Sequence, residues 1–325
     1  MGESQALRMS TAAVTWGAMR HILPALALAL ATVTSCSAPA RTASPRAGHG
    51  GPPASYYLSL GDSLSQGVQP NSSGASVSTR HGYADQLYSA LRRHNLGLRI
   101  VKLGCPGETT STMIKGGVCP FPGGSQLAAA ARFLGAHRGR VSLITIDIGG
   151  NDPNSCITRP SIGKLVSCIG RFIPEATGNL TKIMTKLRRA GGRARIIGMN
   201  YYVPVLVEWR KGPVGRAIAR VSERLAAGYN GLLANAYKES GARIADVFSA
   251  FHTADFDRQV TLAGFGKLPR NVAAICQWTW ECAPRPRGPN QHANRAGYEV
   301  IARAFLLADQ AGGGAVPAHA GVSDG

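Results

Sequence analysis

Apolar residues recur with two periods along the central part of the chain. Residues 56–60, 98–103, 141–148, 195–199 and 243–247 are short runs of apolar and β-branched side chains, and each predicts a strand. Between them, 83–94 places Ala84, Leu87 and Leu91 at helical spacing, and 126–137 is rich in Ala. Leu180, Ile183, Met184 and Leu187 mark one face of a third helix, and 213–238 and 294–308 predict two more. Five strands alternating with helices argue for a parallel sheet covered on both faces. No repeat or linker interrupts residues 55–310, so one α/β domain is expected there. In such sheets ligands bind outside the carboxyl ends of the strands. Each chemically distinctive motif of this chain sits at one of those ends.

The two termini read differently. Arg20-His21 precedes a short apolar run, 22–31, as a signal peptide requires. The run is too short for a membrane helix, which takes about 20 apolar residues. Val33-Thr34-Ser35-Cys36 resembles a bacterial lipobox, in which Cys36 is lipidated and becomes the mature N-terminus. A rival cut after Ala38-Pro39-Ala40 would release a secreted protein instead. Signals of this kind are short and Met19 would open a compact one, so residues 1–18 read as an over-extended gene start. Residues 1–35 are thus expected to be the signal, 36–54 a Pro-, Gly- and Ser-rich tether, and 311–325 a frayed tail.

Composition narrows the function classes. With 44% hydrophobic and 16% charged residues, a disordered chain is excluded. The formal charge of +19 comes from 28 Arg and 8 Lys scattered along the chain, and aromatics are only 6%, so a nucleic-acid partner is not expected. Attraction to anionic envelope surfaces is, within a screening length of about 8 Å at physiological salt. Setting Cys36 aside leaves six cysteines, 105, 119, 156, 168, 276 and 282, in three local pairs separated by 14, 12 and 6 residues. In an exported chain this predicts a disulfide framework with nearest-neighbour pairing. No pair is spaced as a zinc ligand set, no phosphate loop or dinucleotide fingerprint occurs, and no metal or cofactor is expected.

Four motifs remain. Gly61-Asp62-Ser63-Leu64 follows the first strand, Gly104 ends the second, and Gly149-Gly150-Asn151-Asp152 ends the third. His292 stands in Pro289-Asn290-Gln291-His292-Ala293-Asn294, just before the closing helix. Singly, each has an ordinary structural explanation as a turn, a cap or a loop. In this order, the four blocks resemble the SGNH, or GDSL, hydrolase family over residues 55–308, and the cysteine pairs resemble those of its secreted bacterial lipase branch. The resemblance implies a flavodoxin-like α/β/α sandwich with a five-stranded, mainly parallel sheet, and hydrolysis of carboxylic esters without a cofactor. By matching motif, Ser63 would be the nucleophile and His292 its base. The Ser63 and Gly104 backbone N–H groups and the Asn151 amide would form the oxyanion hole, where losing one donor typically costs about 100- to 1000-fold in rate. Asp62 would fix the turn.

One departure matters. The family commonly carries an Asp three residues before the catalytic His, and this chain has Pro289. The expected orienting group is the Pro289 backbone carbonyl, with Glu281 or a reoriented Asn290 as alternatives. Tyr201, Tyr202, Trp278 and Trp280 are candidate walls of an acyl pocket or plain core residues, and 65–82 is the candidate specificity loop. The function expected is therefore an exported esterase or lipase acting on an ester of a lipid or acylated small molecule, associated with the envelope if Cys36 is lipidated. The rival readings are acyl transfer to a lipid or glycan hydroxyl, and a lipid- or glycan-binding protein without turnover.

Overall fold

The structure, a computed structural model, describes residues 55–154 and 162–311, without the side chains of 162–167 and 169. The expected signal segment, Cys36, the tether, Cys156 and the tail beyond Ala311 lie outside the described residues. The chain enters at β1 (Ser55–Gly61) and passes through a long loop carrying β2 (Gln69–Pro70) and β3 (Ser76–Val77). It continues through α1 (Tyr83–Arg92), β4 (Leu98–Lys102), α2 (Thr110–Lys115), α3 (Gln126–Ala136) and β5 (Val141–Asp147). Then follow α4 (Ile162–Gly191), β6 (Arg195–Met199), a 3-10 helix (Pro204–Lys211), α5 (Gly212–Glu239) and β7 (Arg243–Ala245). A short helix α6 (Val247–Ala250), the hairpin of β8 (Gln259–Leu262) and β9 (Gly266–Pro269), α7 (Arg270–Trp278) and α8 (Arg295–Gln310) complete it.

The central sheet has the order β4-β1-β5-β6-β7, with every neighbouring pair parallel. All five strands predicted from the apolar runs are present, and the α/β fold class stands. Alternation along the strands divides the core. Tyr57, Leu143 and Ile197 face a cluster with Tyr83 and Leu87 of α1 and Tyr298, Ile301 and Phe305 of α8. Leu58, Leu60, Ile144 and Ile146 face the opposite cluster with Leu134 of α3, Leu180, Ile183 and Leu187 of α4, and Leu233 of α5. Each such fully buried side chain contributes about 1.5–3 kcal/mol, which is why the strands tolerate few polar residues.

The last strand of the central sheet is two residues shorter than expected. The apolar run 243–247 predicts a strand through Val247, yet β7 stops at Ala245. Asp246 caps α6 by accepting from the Ser249 N–H, so the chain turns helical one residue later. The order also creates a switch point. From β1 the chain goes to β4 on one side and then crosses to β5 on the other. The crevice beyond the carboxyl ends of β1 and β5 is where a ligand site is expected.

Two of the expected disulfides are described. Cys105–Cys119 and Cys276–Cys282 are bonded with Cα separations of 6.1 and 4.8 Å. Cys168 is disulfide-bonded, while its expected partner Cys156 lies outside the described residues. Among the described residues no helix is long and apolar enough to cross a membrane.

Candidate active site

The turn after β1 is held by polar groups that the apolar strands leave room for. Gly61 ends β1 at φ +128°, and a Cβ there would lie 2.1 Å from the Asp147 carbonyl oxygen, so only glycine fits. Asp62 Oδ1 accepts from the Leu64 N–H at 2.9 Å, the local turn expected for an Asp before Ser. Its Oδ2 accepts from the Tyr201 hydroxyl at 3.3 Å. Asp147, at the end of β5, supports the turn from below. Its Oδ2 accepts the N–H groups of Asp62 and Ser65 at 3.3 and 3.1 Å, and its Oδ1 accepts the Tyr83 hydroxyl. Asp62 thus takes the structural role expected of it.

Asp62 and Asp147 are both fully buried, and two carboxylates so close cannot both ionise easily. Burial, followed by the charge of Asp62, pushes Asp147 well above the carboxylate range. Burial also raises Asp62, to about 6.

Ser63 Oγ lies 3.0 Å from His292 Nε2 and 3.5 Å from Asp62 Oδ1, so the imidazole is its hydrogen-bond partner. His292 reaches this place through the last disulfide loop. The Trp280 N–H donates to the His292 carbonyl at 3.1 Å, the Asn290 N–H to the Trp280 carbonyl at 3.2 Å, and Thr279 forms a bridge with Ala293. Asn294 then caps α8 by accepting from Gly297 N–H, while its amide donates to the Gln277 and Thr279 carbonyls.

The acceptor on His292 Nδ1 is the Asn290 side-chain oxygen at 2.8 Å, not the Pro289 backbone carbonyl expected from the sequence. The reason is local. Asn290 Oδ1 receives both the ring Nδ1 and the His292 backbone N–H, at 2.8 and 3.0 Å, which closes a compact turn on the histidine itself. Asn290 Nδ2 donates to Ser76 Oγ at 3.0 Å, and the His292 backbone N–H, which can only donate, fixes the amide oxygen on the histidine side. Because an amide oxygen only accepts, Nδ1 carries the proton and Nε2 is left to accept from Ser63. Glu281 makes no hydrogen bond to the His292 ring, whose two nitrogens face Asn290 and Ser63. Its surroundings are Glu208 and Lys211, and burial raises it. With no carboxylate beside the ring, burial pulls His292 down to about 4.

Of the three expected oxyanion donors, Ser63 lies in the turn and Gly104 packs against it. Among the described residues, the N–H groups of Ser63 and Gly104 donate to no backbone carbonyl. Gly104 is tied to the turn because its neighbours Leu103 and Cys105 donate to the carbonyls of Ser59 and Gly61, each at 2.9 Å. A Cβ on Gly104 would lie 1.8 Å from Ser65 Oγ, which itself donates to the Asp62 carbonyl at 2.7 Å. Gly104→Ala is therefore expected to cost about 1–3 kcal/mol through overpacking, read as a lowered thermal midpoint. An unchanged midpoint would mean that Ser65 moves aside freely. Asn151 donates one amide hydrogen to the Glu108 carbonyl at 2.9 Å and keeps a second.

Of the candidate pocket aromatics, Tyr202 is core and Trp278 is partly buried against it. Tyr202 stacks on Phe251 at 4.4 Å and donates to the Gln291 carbonyl at 2.8 Å, supporting the His292 loop from below. Trp278 packs edge-on against the same Phe251. The sequence offers Asn290 only as an alternative to the Pro289 carbonyl, and it gives no role to Asp147 or Ser76. For Asp147 a signal existed, a lone carboxylate inside the most apolar strand.

A family model for the GDSL-like lipase/acylhydrolase family matches residues 59–300. The chain belongs to that family. Its members' activity makes the protein a carboxylic-ester hydrolase. The chain is also similar to the extracellular lipase of Streptomyces rimosus, at 18% identity over 78% of this chain and 100% of that one, with a TM-score of 0.52. A phospholipase A1 from Streptomyces albidoflavus is similar at 17% identity over 78% and 99%, with a TM-score of 0.49. At such identities the likeness to the first shows the shared sandwich fold. No curated protein matches the sequence.

Proposed function

We propose that this chain is an exported serine ester hydrolase that works through an acyl-enzyme on Ser63, with esters of lipids or acylated small molecules as substrates. The observation that carries the reading is the relay Ser63 Oγ, His292 Nε2, His292 Nδ1, Asn290 Oδ1, with its two contacts at 3.0 and 2.8 Å. Neutral His292 accepts the Ser63 proton as Oγ attacks the ester carbonyl carbon. Negative charge then gathers on the former carbonyl oxygen, where the Ser63 and Gly104 N–H groups and the free hydrogen of the Asn151 amide can meet it. The imidazolium returns its proton to the leaving alkoxide, and water, activated by the same ring, hydrolyses the acyl-Ser63 ester. Asn290 keeps the tautomer that makes this cycle possible.

Export is supported by the leader pattern and by the disulfides Cys105–Cys119 and Cys276–Cys282, which persist in oxidising compartments. Lipidation of Cys36 would keep the enzyme at the envelope. A fluorophosphonate incubated with the full chain tests the chemistry. It should phosphonylate Ser63, seen by mass in a peptide digest, and abolish hydrolysis of p-nitrophenyl acetate in step. Hydrolysis that survives complete phosphonylation of Ser63 would overturn the acyl-enzyme reading.

A further inference from the structure

Gln126, the first residue of α3, is fully buried, and its side-chain amide grips the strand end that leads into the nucleophile turn. Its Oε1 accepts the Gly61 N–H at 2.7 Å, and its Nε2 donates to the Gly61 carbonyl at 2.9 Å. The other Nε2 hydrogen goes to Glu108 Oε2, also at 2.9 Å. A backbone N–H only donates and a carbonyl only accepts, so these contacts settle which end of the amide is which. Both polar groups of Gly61, two residues before Ser63, are thus held by one planar group. The Gly61 carbonyl also accepts the Cys105 N–H at 2.9 Å, which brings the residue after Gly104 to the same place.

Glu108 carries the contact onward. It is 1% exposed, and while its side chain receives Gln126, its backbone carbonyl accepts the Asn151 amide at 2.9 Å. Asn154 Nδ2 donates to Asn151 Oδ1 at 3.2 Å, so both ends of the Asn151 amide are held and the direction of its other hydrogen is set. A second joint ties the same two segments, because Asp152 accepts the Thr110 N–H at 3.0 Å. Gln126 is placed by the start of its own helix, where Ser125 caps α3 by accepting the Ala128 N–H at 3.2 Å. The Cys105–Cys119 bond ties the Gly104 loop to the segment that leads into α3.

Burying a carboxyl and an amide is unfavourable unless their polar atoms are paired. An apolar pair of the same volume could fill the space, but it would leave the Gly61 N–H without its acceptor and the Glu108 segment without its anchor. What the polar pair adds is direction. An oxyanion hole needs its donors aimed at one point before the charge arrives. Here they come from three separate segments, the Ser63 turn, the Gly104 loop and the Asn151 turn. Gln126 holds the first at Gly61, meets the second at Glu108, and through the Glu108 carbonyl reaches the third.

We propose that Gln126, with Glu108 as its anchor, is a positioning residue for the oxyanion hole, setting the spacing of the Ser63 and Gly104 N–H groups and the Asn151 amide. The proposal rests on the acyl-enzyme reading of Ser63. Neither side chain touches the ester, and both act through the groups they hold. Such positioning acts on the transition state rather than on bound substrate, because the oxyanion exists only there. A misplacement of about 1 Å typically costs about a hundredfold in rate.

The test compares the full chain with Gln126→Met, Glu108→Leu and Glu108→Gln, each with its thermal midpoint and its active sites counted by fluorophosphonate. Gln126→Met keeps the side-chain length and removes the amide, so kcat per site for p-nitrophenyl acetate should fall on the order of a hundredfold, with KM within about twofold. A short alkyl trifluoromethyl ketone supplies a second readout. Ser63 Oγ adds to its carbonyl carbon, the proton passes to His292, and the oxygen becomes a stable oxyanion, so its affinity should fall by the same factor as kcat/KM. Glu108→Leu should give the same pattern, and Glu108→Gln, which keeps an acceptor for the Gln126 amide, should recover most of the loss. In an Asn151→Ala background, Gln126→Met should cost far less than it does alone. A residue that only stabilises the fold would lower the midpoint, leave kcat per site and ketone affinity unchanged, and act in full on top of Asn151→Ala. That result overturns the proposal, and if Gln126→Met does not fold, the two Glu108 variants decide by the same measures. Complete phosphonylation of Ser63 in the wild type separates the two readings. Hydrolysis that survives it overturns the acyl-enzyme reading and this proposal with it. Hydrolysis that stops, while Gln126→Met keeps its kcat and ketone affinity, overturns the positioning role alone.

Discussion

Ser63→Ala is expected to lower kcat/KM for a p-nitrophenyl ester by about 10⁴- to 10⁶-fold, His292→Ala by a similar factor, and the double variant no further than either. The equality follows from the geometry. Ser63 Oγ and His292 Nε2 are each other's partners at 3.0 Å, so removing one leaves the other without a function in proton transfer. The loss should fall on kcat, since neither side chain is part of the packing that shapes the cleft. A structural serine would behave differently, with small losses for Ser63→Ala and additive effects in the double variant. Either observation would remove Ser63 from the chemistry. Folding is a separate matter, because the turn is held by Asp62 and Asp147 rather than by the Ser63 hydroxyl.

The sheet and the strand ends that carry Ser63, Gly104 and Asn151 were legible because strand periodicity and the glycines that end the strands are local features. His292 was legible through the helix start that follows it. Its partner was not. Choosing among the Pro289 carbonyl, Glu281 and Asn290 depends on the path of the 280–294 loop, and that path is set by backbone bonds between Trp280, Asn290 and His292. Such bonds leave no composition or spacing signal. Ser76 was hidden for the same reason, since β2 and β3 pair over only two residues each. The hairpin β8–β9 and α7 occupy a stretch where short apolar groups fit no single period. α5 shows a further limit. Periodicity predicts the helix but cannot say which of its apolar positions meet the core, where Leu233 and Tyr237 are buried while Val214 and Leu225 are exposed. Asp147 was written plainly in the sequence; what the sequence withheld was that its neighbour across the sheet is the nucleophile turn.

The Asn290 amide is the feature that most separates this site from a carboxylate triad, and its replacement should move activity in both directions. Asn290→Leu removes the acceptor from Nδ1, leaves the ring free to rotate or to carry its proton on Nε2, and should lower kcat on the order of 10²- to 10³-fold with little change in KM. Asn290→Asp puts a negative charge 2.8 Å from Nδ1, which favours the imidazolium over the neutral ring. The sign is fixed by which form is active. The neutral imidazole is the base, so the wild-type rate should fall as pH drops through the His292 pKa of about 4. A carboxylate raises that pKa and shifts the acidic limb to higher pH. The same charge stabilises the imidazolium of the transition state, so the plateau near pH 7 should rise roughly tenfold. Ser76→Ala, which frees the far side of the amide without touching the ring, should give a smaller loss than Asn290→Leu and leave the limb in place. A pH profile of kcat/KM for the four proteins decides the matter. If Asn290→Leu keeps the wild-type rate and Asn290→Asp leaves the limb where it was, the ring is oriented by another group and the relay ends at His292.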